Sequence, residues 1–335
     1  WTFIIGEFLS SIHPQFFRPF FSSFFFGLLF AEVSRVIDCG CKGIRTCLVC
    51  EQEFDIGKPD HSQELRKGPC YVYCPECDKA WPGWDMDVCR VHPHHSGEPV
   101  AYPGVCVKTN FLRPEEASYL LEDLDSLPWE RSQSGRRKQN YGPKCNFKKR
   151  RLRVGDFDGF PSKTKYLQER LSAYELLKDF QTIEQCSLEY APERGASIDP
   201  HIDDCWIWGE RIVTVNVLGD SVLTMTRYRG PEKRYNLDEV ATYPPVVRLD
   251  TGRLEDAEKI APAPDDAVVR LPMPAMSLMV LYGAARYDWE HAVLREDIVS
   301  RRVCIAYREF TPPYLPGGER SAEAEEILER ALNFW

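Results

Sequence analysis

The chain has 335 residues, of which 43% are hydrophobic, 12% aromatic and 28% charged, and its formal net charge is −9. This composition excludes a disordered chain and a multispan membrane protein. The acidic balance also excludes a uniformly basic nucleic-acid coat, although it leaves room for a local basic patch. The thirteen cysteines are an odd number, which argues against a fully paired, secreted disulfide scaffold.

The first 37 residues are rich in phenylalanine but are interrupted by Arg18, Pro19 and two serines. No window in them reaches the roughly 18 to 20 apolar residues that a helix needs to cross a bilayer. We therefore predict no membrane association, and we interpret residues 1–37 as a leader of doubtful authenticity.

Residues 38–98 form a Cys-rich segment that holds eight of the thirteen cysteines. Zinc prefers tetrahedral sulfur and nitrogen ligands, and Cys-x2-Cys is its commonest half-site. The best candidate set is four thiols within a short stretch: Cys39, Cys41, Cys47 and Cys50. A second group contains Cys74 and Cys77, flanked by Cys70, Cys89 and His92. The segment either binds a structural zinc ion or is a flexible arm with reduced thiols.

Residues 99–335 have the pattern of a folded domain that begins after a Pro/Gly hinge. Pro114 opens a helix with an apolar face, a second helix follows Ser162, and residues 322–332 form a closing amphipathic helix. A change to period-two alternation predicts strands at 186–190, 212–218, 222–228, 268–271, 278–282 and 303–307. The Pro-rich, acidic residues 230–266 are predicted to be an inserted loop.

Helices first and strands afterwards, without βαβ alternation, predict an α+β fold. Its core is expected to be a double-stranded β-helix (jelly roll) with flanking helices and the N-terminal Cys-rich segment.

Two histidines and an aspartate in the strand-rich half have the composition of a metal centre. His201 and Asp203 are two residues apart at a strand end, so their side chains share a face. His291 follows at the end of the hairpin that starts with strand 278–282. Two imidazoles and one carboxylate leave three metal positions open, which is typical of non-haem Fe(II) oxygenases. An arginine beyond His291 could pair with the far carboxylate of a 2-oxo acid that chelates the metal.

Several stretches resemble the AlkB family of Fe(II)/2-oxoglutarate dioxygenases. They are the Tyr190-Ala-Pro run, the Asp-Pro-His-Ile-Asp motif at 199–203, and His291 with the Arg-x5-Arg strand at 302–308. Stretches 39–50, 132–144 and 203–211 match one animal branch of the family, which is associated with removing methyl groups from a lysine of actin.

The resemblance implies that His201, Asp203 and His291 are the catalytic iron ligands. It further implies that 2-oxoglutarate is bound by Arg302, Arg308 and Tyr190. The cofactors would be Fe(II), 2-oxoglutarate and O2, and the reaction an oxidative N-demethylation that releases succinate, CO2 and formaldehyde. Two residues depart from the pattern, because Leu188 and Cys304 stand where the nucleic-acid repair members carry asparagine.

A basic stretch over 136–153 contains nine lysines and arginines, no acidic residue, and two interleaved aromatic residues. The resemblance implies that it forms a lid over the substrate, with Arg136, Arg137, Lys138, Tyr141, Lys148, Lys149, Arg150 and Arg151 as candidate contacts. Such a lid suits phosphates and stacked bases as well as an acidic protein surface. A solvated charged loop is the alternative. Trp206 and Trp208 either frame a slot for a methylammonium group or pack in the strand.

We therefore predict a demethylase of methylated lysine in a protein, with actin as the expected partner, acting in the cytoplasm and nucleus. The alternative within enzymes is demethylation of N6-methyladenine in DNA. A third hypothesis is an interaction module with an inactive core, for which Leu188 and Cys304 are the main support.

Overall fold

The computed structural model describes residues 39–247 and 260–335. The Phe-rich leader and the middle of the predicted inserted loop lie outside the described residues. The described α-helices are α1 (Leu48–Glu53), α2 (His61–Leu65), α3 (Asp87–Arg90), α4 (Pro114–Asp125), α5 (Lys165–Leu171), α6 (Gly283–Tyr287) and α7 (Ser321–Arg330). Within this part of the chain, no helix is long and apolar enough to cross a membrane.

The strands include all six predicted from the sequence, with ends that differ by a few residues. They are β1 (Cys70–Cys74), β2 (Lys79–Pro82), β3 (Val105–Lys108), β4 (Glu130–Arg131), β5 (Arg136–Tyr141), β6 (Lys144–Asn146), β7 (Arg151–Arg153), β8 (Glu184–Tyr190), β9 (Ile198–His201), β10 (Trp208–Leu218), β11 (Ser221–Arg227), β12 (Val268–Met273), β13 (Ser277–Leu281), β14 (Trp289–Val293) and β15 (Arg302–Phe310).

Two large sheets build the fold. One has the strand order β2-β1-β12-β11-β14-β9 and the other β3-β13-β10-β15-β8-β5-β4, while β6 and β7 form a separate hairpin. All strand pairs are antiparallel except β1 with β12, which is parallel. Apolar residues from both sheets, such as Met225 and Leu271 on one and Ile212 and Cys304 on the other, share one core. The predicted jelly-roll core is confirmed.

Strand β15 shows why the sequence folds in this way. Val303, Ile305 and Tyr307 point to the outer face and pack in a second core with leucines of α4 and α5. Burying each such side chain contributes about 1.5–3 kcal/mol. The alternate residues, including Arg302 and Arg308, point into the space between the sheets, because successive strand residues face opposite sides. The outer face of β15 therefore stabilises the fold by apolar packing, and its inner face presents polar groups of the site.

The predicted helices at 114 and after Ser162 cover this outer face. At the start of α4 the Glu116 carboxylate accepts from the Arg113 backbone N–H at 2.9 Å, and Pro114 occupies the first turn, where no N–H is needed. Leu120 and Leu124 are then buried against the seven-stranded sheet.

Candidate functional site

The structure brings the predicted iron ligands together on two adjacent strands. His201 ends β9 and lies directly opposite His291 of β14, with their ring centroids 4.2 Å apart. Asp203 follows two residues later, and its Oδ1 lies 3.8 Å from Nε2 of His201. One ligand atom from each of the three residues lies within 4.8 Å of the others. This donor set fits a ferrous ion with open positions for a chelating cosubstrate and O2.

The placement of His291 differs from the sequence prediction. We predicted it at the end of the hairpin that starts with strand 278–282, but β13 lies in the seven-stranded sheet and His291 in the other sheet. Between them the chain turns at Gly283 (φ +51°) and forms the short helix α6. This helix carries the chain from one sheet to the other, so the prediction of a hairpin was wrong.

The two imidazoles are held ready to bind a metal. Nδ1 of His201 lies 2.9 Å from the carbonyl oxygen of Asp199, so it carries the proton and leaves Nε2 free toward Asp203. Burial lowers the pKa of His201, and it lowers the pKa of His291 to about 3 with help from the neighbouring imidazole. Both rings are therefore neutral ligands at physiological pH.

Arg308 orients the carboxylate of Asp203. Its Nε and Nη2 donate to the two oxygens of Asp203 at 3.0 and 3.2 Å, and its Nη1 donates to Glu184 at 2.5 Å. Burial alone would raise the pKa of Asp203, but Arg308 and the two histidines bring it well below its usual value. The carboxylate is therefore ionised, and Arg308 acts on the metal site through Asp203 in addition to its predicted role in binding 2-oxoglutarate.

Arg302 has a buried N–H donor that suits a carboxylate acceptor. Its side chain is 1% exposed, and its Nε donates to Oδ1 of Asn216 at 2.9 Å. Its Nη1 is buried and has no hydrogen-bond partner among the described residues. A buried charged donor without an acceptor is costly unless a ligand supplies one. The far carboxylate of 2-oxoglutarate would supply that acceptor.

Asn216 is a site residue that the sequence analysis missed. Its amide donates to the carbonyl oxygens of Gly219, Met273 and Pro274 at 2.8–3.0 Å, while its oxygen accepts from Arg302. Asn216 therefore fixes the arginine to the backbone of the loops after β10 and β12. A lone asparagine in an apolar strand was the signal available in the sequence.

Tyr190 lies against two guanidinium groups. It pairs in register with Arg302 on one side and Arg136 on the other, and the guanidinium carbons lie 4.7 and 5.9 Å from the centre of its ring. Burial raises its pKa, so the phenol keeps its proton and can donate a hydrogen bond.

The two departures from the family pattern, Leu188 and Cys304, lie directly opposite each other on β8 and β15. Their side chains and that of Tyr190 pack in the same apolar core.

The predicted lid divides into two parts. Residues 136–141 are strand β5 of the seven-stranded sheet, where Arg136 and Lys138 lie beside Tyr190 and Leu188. The rest forms the β6–β7 hairpin with a 3-10 turn at Phe147–Lys149. Of the two parts, only this hairpin lies outside the two large sheets.

Several lid residues have partners within the protein. Arg137 pairs with the buried Glu189 and lies over Trp129, Lys138 is 3.8 Å from Glu130, and Arg150 pairs with Glu239. Tyr141 packs edge-on against Trp335 at 5.8 Å. Five cations of the stretch make no ion pair within residues 39–247 and 260–335: Arg136, Lys148, Lys149, Arg151 and Arg153. Arg136 instead donates to the carbonyl oxygen of Gln133, and the other four belong to the β6–β7 hairpin.

The two tryptophans after the iron motif are packing residues. Trp206 and Trp208 are 1% and 3% exposed, and both belong to the core between the sheets. The ring of Phe147, at the tip of the β6–β7 hairpin, meets Trp206 edge-on at 6.4 Å. Trp206 therefore packs against the hairpin tip. Because both indoles are buried, neither offers an exposed face to form the predicted slot for a methylammonium group.

Four cysteines of the Cys-rich segment converge as predicted for a metal site. The Cys39 sulfur lies 3.6 Å from that of Cys47 and 3.4 Å from that of Cys50, and Cys41 completes the group. The backbone N–H of Gly135, from the 132–144 stretch, donates to the Cys41 sulfur. Bonded sulfurs around zinc lie about 3.8 Å apart, because Zn–S bonds are about 2.3 Å long. The cluster is therefore compact enough for one ion.

The chain has relatives of known family. It is 41% identical over 312 residues to "Alpha-ketoglutarate-dependent dioxygenase alkB homolog 4" of Mus musculus, which covers 91% of this chain and 97% of the relative. The Homo sapiens protein of that name is 40% identical, with the same coverage. A Caenorhabditis elegans "DNA N6-methyl adenine demethylase" is 28% identical over 84% of this chain and 89% of its own. No family model matches. The chain belongs to the AlkB family of Fe(II)/2-oxoglutarate-dependent dioxygenases.

Proposed function

We propose that this enzyme removes methyl groups from nitrogen by oxidation. The observation that carries the proposal is the convergence of His201, Asp203 and His291, together with Arg302 on the facing sheet, whose buried Nη1 has no partner among the described residues. The name of the worm relative, a demethylase, supports the same reaction class. Fe(II) with 2-oxoglutarate and O2 would supply the oxidation that hydroxylates an N-methyl carbon, which then leaves as formaldehyde.

The protein's own residues hold and orient the reactants. His201, Asp203 and His291 would bind the metal on one side, Arg308 fixes the angle of the Asp203 carboxylate, and Arg302 would bind the far carboxylate of 2-oxoglutarate. Asp203 and Arg302 are buried, whereas the His201 side chain is 28% exposed. Fixed positions of these groups are the protein's contribution to such chemistry.

We infer that the substrate is a methylated lysine in an acidic protein, as in actin. Five of the nine basic residues of the 136–153 stretch are without an ion pair in the described part of the chain, and four of them, all except Arg136, belong to the β6–β7 hairpin. The rest of the chain is strongly acidic, since the whole molecule has a net charge of −9. A small cationic patch on an acidic protein suits a short acidic segment better than a long duplex, which needs about 6–10 phosphate contacts.

N6-methyladenine in DNA is the second candidate. The name of the worm relative favours it. Phe147 is 49% exposed at the hairpin tip, so one face of its ring is open to stack on an unpaired base.

Formaldehyde release, measured side by side on methyl-lysine actin and on N6-methyladenine DNA, tests both candidates. Replacing Lys148 and Lys149 by alanine should raise KM for the protein substrate and flatten its dependence on salt. Replacing Lys163 and Lys165, two exposed lysines on the helical side, is the matched control and should change neither. Formaldehyde from DNA alone would transfer the proposal to the second candidate. Succinate formation that survives His201→Ala would overturn the iron assignment itself.

We also propose that Cys39, Cys41, Cys47 and Cys50 hold a structural zinc ion. All thirteen cysteines are free thiols, which supports a reducing compartment such as the cytoplasm or nucleus. Metal analysis before and after Cys47→Ser tests the zinc ion, and an unchanged zinc content would contradict it.

A further inference from the structure

We propose that Cys74, Cys77, His92 and His95 form a second, separate zinc site. Their ligand atoms all lie within 4.8 Å of one another. The Cys74 sulfur is 3.8 Å from Nδ1 of His92, and the Cys77 sulfur is 3.8 Å from Nε2 of His95. Tetrahedral zinc with bonds of about 2.3 Å to sulfur and about 2.0 Å to nitrogen separates such atoms by about 3.5 Å. For these two pairs a shift of about 0.3 Å would reach that separation, and the remaining ligand atoms are already within 4.8 Å.

The two cysteines lie in a turn built to hold a metal-bound sulfur. Cys74 is the last residue of β1, and the hairpin to β2 pairs Cys74 with Lys79. The backbone N–H groups of Glu76 and Cys77 donate to the Cys74 sulfur, and Asp78 takes a positive φ of 57° to close the turn. N–H groups directed at a sulfur stabilise its thiolate form, which is the form that binds zinc.

The second histidine is oriented by its neighbours. Nδ1 of His95 lies 2.8 Å from the carbonyl oxygen of Val88, which leaves Nε2 directed at the cluster. The Trp81 ring stacks on His95 at 4.5 Å, and its Nε1 donates to the Cys77 sulfur at 3.3 Å. A carbonyl acceptor on the far nitrogen of a histidine is the usual support of a metal ligand.

The chain around this cluster has no apolar core of its own. Residues 81–99 are all described, and none of them is buried. We call residues 81–99 the excursion, because the chain leaves the sheet at the end of β2 and returns only before β3. The only helix in it, α3, has four residues, which is far too short to be stable alone. A metal ion that joins Cys74 and Cys77 to His92 and His95 would fasten both ends of the excursion to the sheet.

This site is distinct from the iron centre. In the six-stranded sheet β1 is separated from β14, the strand of His291, by β12 and β11. Three strand spacings correspond to about 14 Å. Two thiols and two imidazoles are the soft and borderline donors that tetrahedral zinc prefers, whereas the iron triad contains a hard carboxylate.

The structure also separates this set from the neighbouring cysteines. The Cys70 sulfur donates to the carbonyls of Leu65 and Gly68, and the Cys89 sulfur donates to the carbonyl of Met86. Neither belongs to the cluster, although both flanked it in the sequence prediction. They provide matched controls in the same segment.

The first test is the zinc content of the full chain. Cys77→Ser should lose one equivalent of zinc per chain relative to wild type, whatever the Cys39–Cys50 cluster binds. Cys70→Ser and Cys89→Ser should keep the wild-type content, and iron content should be the same in all variants. Wild-type zinc content in Cys77→Ser would overturn the proposal.

A second measurement uses the wild-type chain alone, in case the variant fails to fold. Arg90 is exposed within the excursion, so trypsin reports on its order. Removing zinc with a chelator should raise the rate of cleavage after Arg90, and added Zn²⁺ but not Mg²⁺ should restore protection. An equal rate of cleavage with and without zinc would contradict the proposed site.

Discussion

Replacing Arg302 by methionine tests the cosubstrate site most directly. Methionine is flexible and apolar and replaces the inner part of the arginine side chain, so the substitution removes the guanidinium group and its charge and leaves an apolar side chain in the core. The side chain is 1% exposed and touches Asn216, Met273 and Tyr190. Without 2-oxoglutarate we expect the free energy of unfolding to change by less than about 2 kcal/mol. One hydrogen bond to Asn216 is lost, but a buried charge with an unpartnered donor is lost as well.

The expected loss in binding is much larger. A hydrogen bond between charged groups contributes about 1.5–3 kcal/mol, so Kd for 2-oxoglutarate should rise about 10- to 150-fold. At a concentration 100 times the wild-type Kd, the ligand stabilises the wild-type protein by about 2.7 kcal/mol. A variant with a 100-fold higher Kd gains only about 0.4 kcal/mol under the same conditions.

The assay is urea unfolding with and without 2-oxoglutarate, without O2 and with Mn²⁺ in place of Fe(II), so that the cosubstrate is not consumed. Arg211→Met is the control, because Arg211 is equally buried but pairs with Glu309 on the outer face of β10. It should lower stability and leave the increment from 2-oxoglutarate intact. An undiminished increment in Arg302→Met would refute the role of Arg302.

Three further predictions concern other parts of the structure. Arg308→Met should lower the free energy of unfolding by about 3–5 kcal/mol and weaken metal binding, because it leaves the carboxylates of Asp203 and Glu184 without their buried partner. Urea denaturation measures the loss of stability, and metal titration measures the loss of affinity. Wild-type values in both experiments would contradict the prediction. The Glu116 pKa is lowered to about 2, first by hydrogen bonds from Arg170. Its stabilising effect should therefore be complete above the unfolded pKa of about 4.5 and lost as the pH falls toward 2, so that wild type and Glu116→Gln differ in urea midpoint at pH 6 and converge near pH 2. Gly135→Ala should destabilise the fold and reduce zinc content, because φ is +78° and the new Cβ would lie 3.2 Å from the Cβ of Cys47; an unchanged Tm would show that the turn can adapt.

Patterns within one segment were enough to predict much of the fold. The alternating residues of β15 predicted a strand. Pro114 and the apolar residues that follow it predicted α4, because local preference and burial agree there. His201 and Asp203 could be paired because they are two residues apart. Strand β5 was missed because it is nearly all polar; it is held by β4, by β8 and by the buried Gln139, whose amide donates to the carbonyls of Leu124 and Leu127.

Contacts between distant segments could not be predicted in this way. Asn216 matters because three carbonyls and Arg302 reach it from other strands and loops. His95 joins Cys77 only because the chain returns after α3, and no local spacing marks that return. These residues derive their roles from tertiary structure, which a single sequence does not display.

The parallel pairing of β1 with β12 has a consequence for how the chain is assembled and cut. Cys70 pairs with Val268, so β12 is synthesised roughly 200 residues after β1. Pairings between such distant segments form late and slowly during folding. A shortened chain that starts at residue 99 would leave β12 as an open edge with unpaired backbone groups, which invites pairing with another molecule. Truncations of this protein should therefore retain β1 and β2 if β12 is not to pair with another molecule.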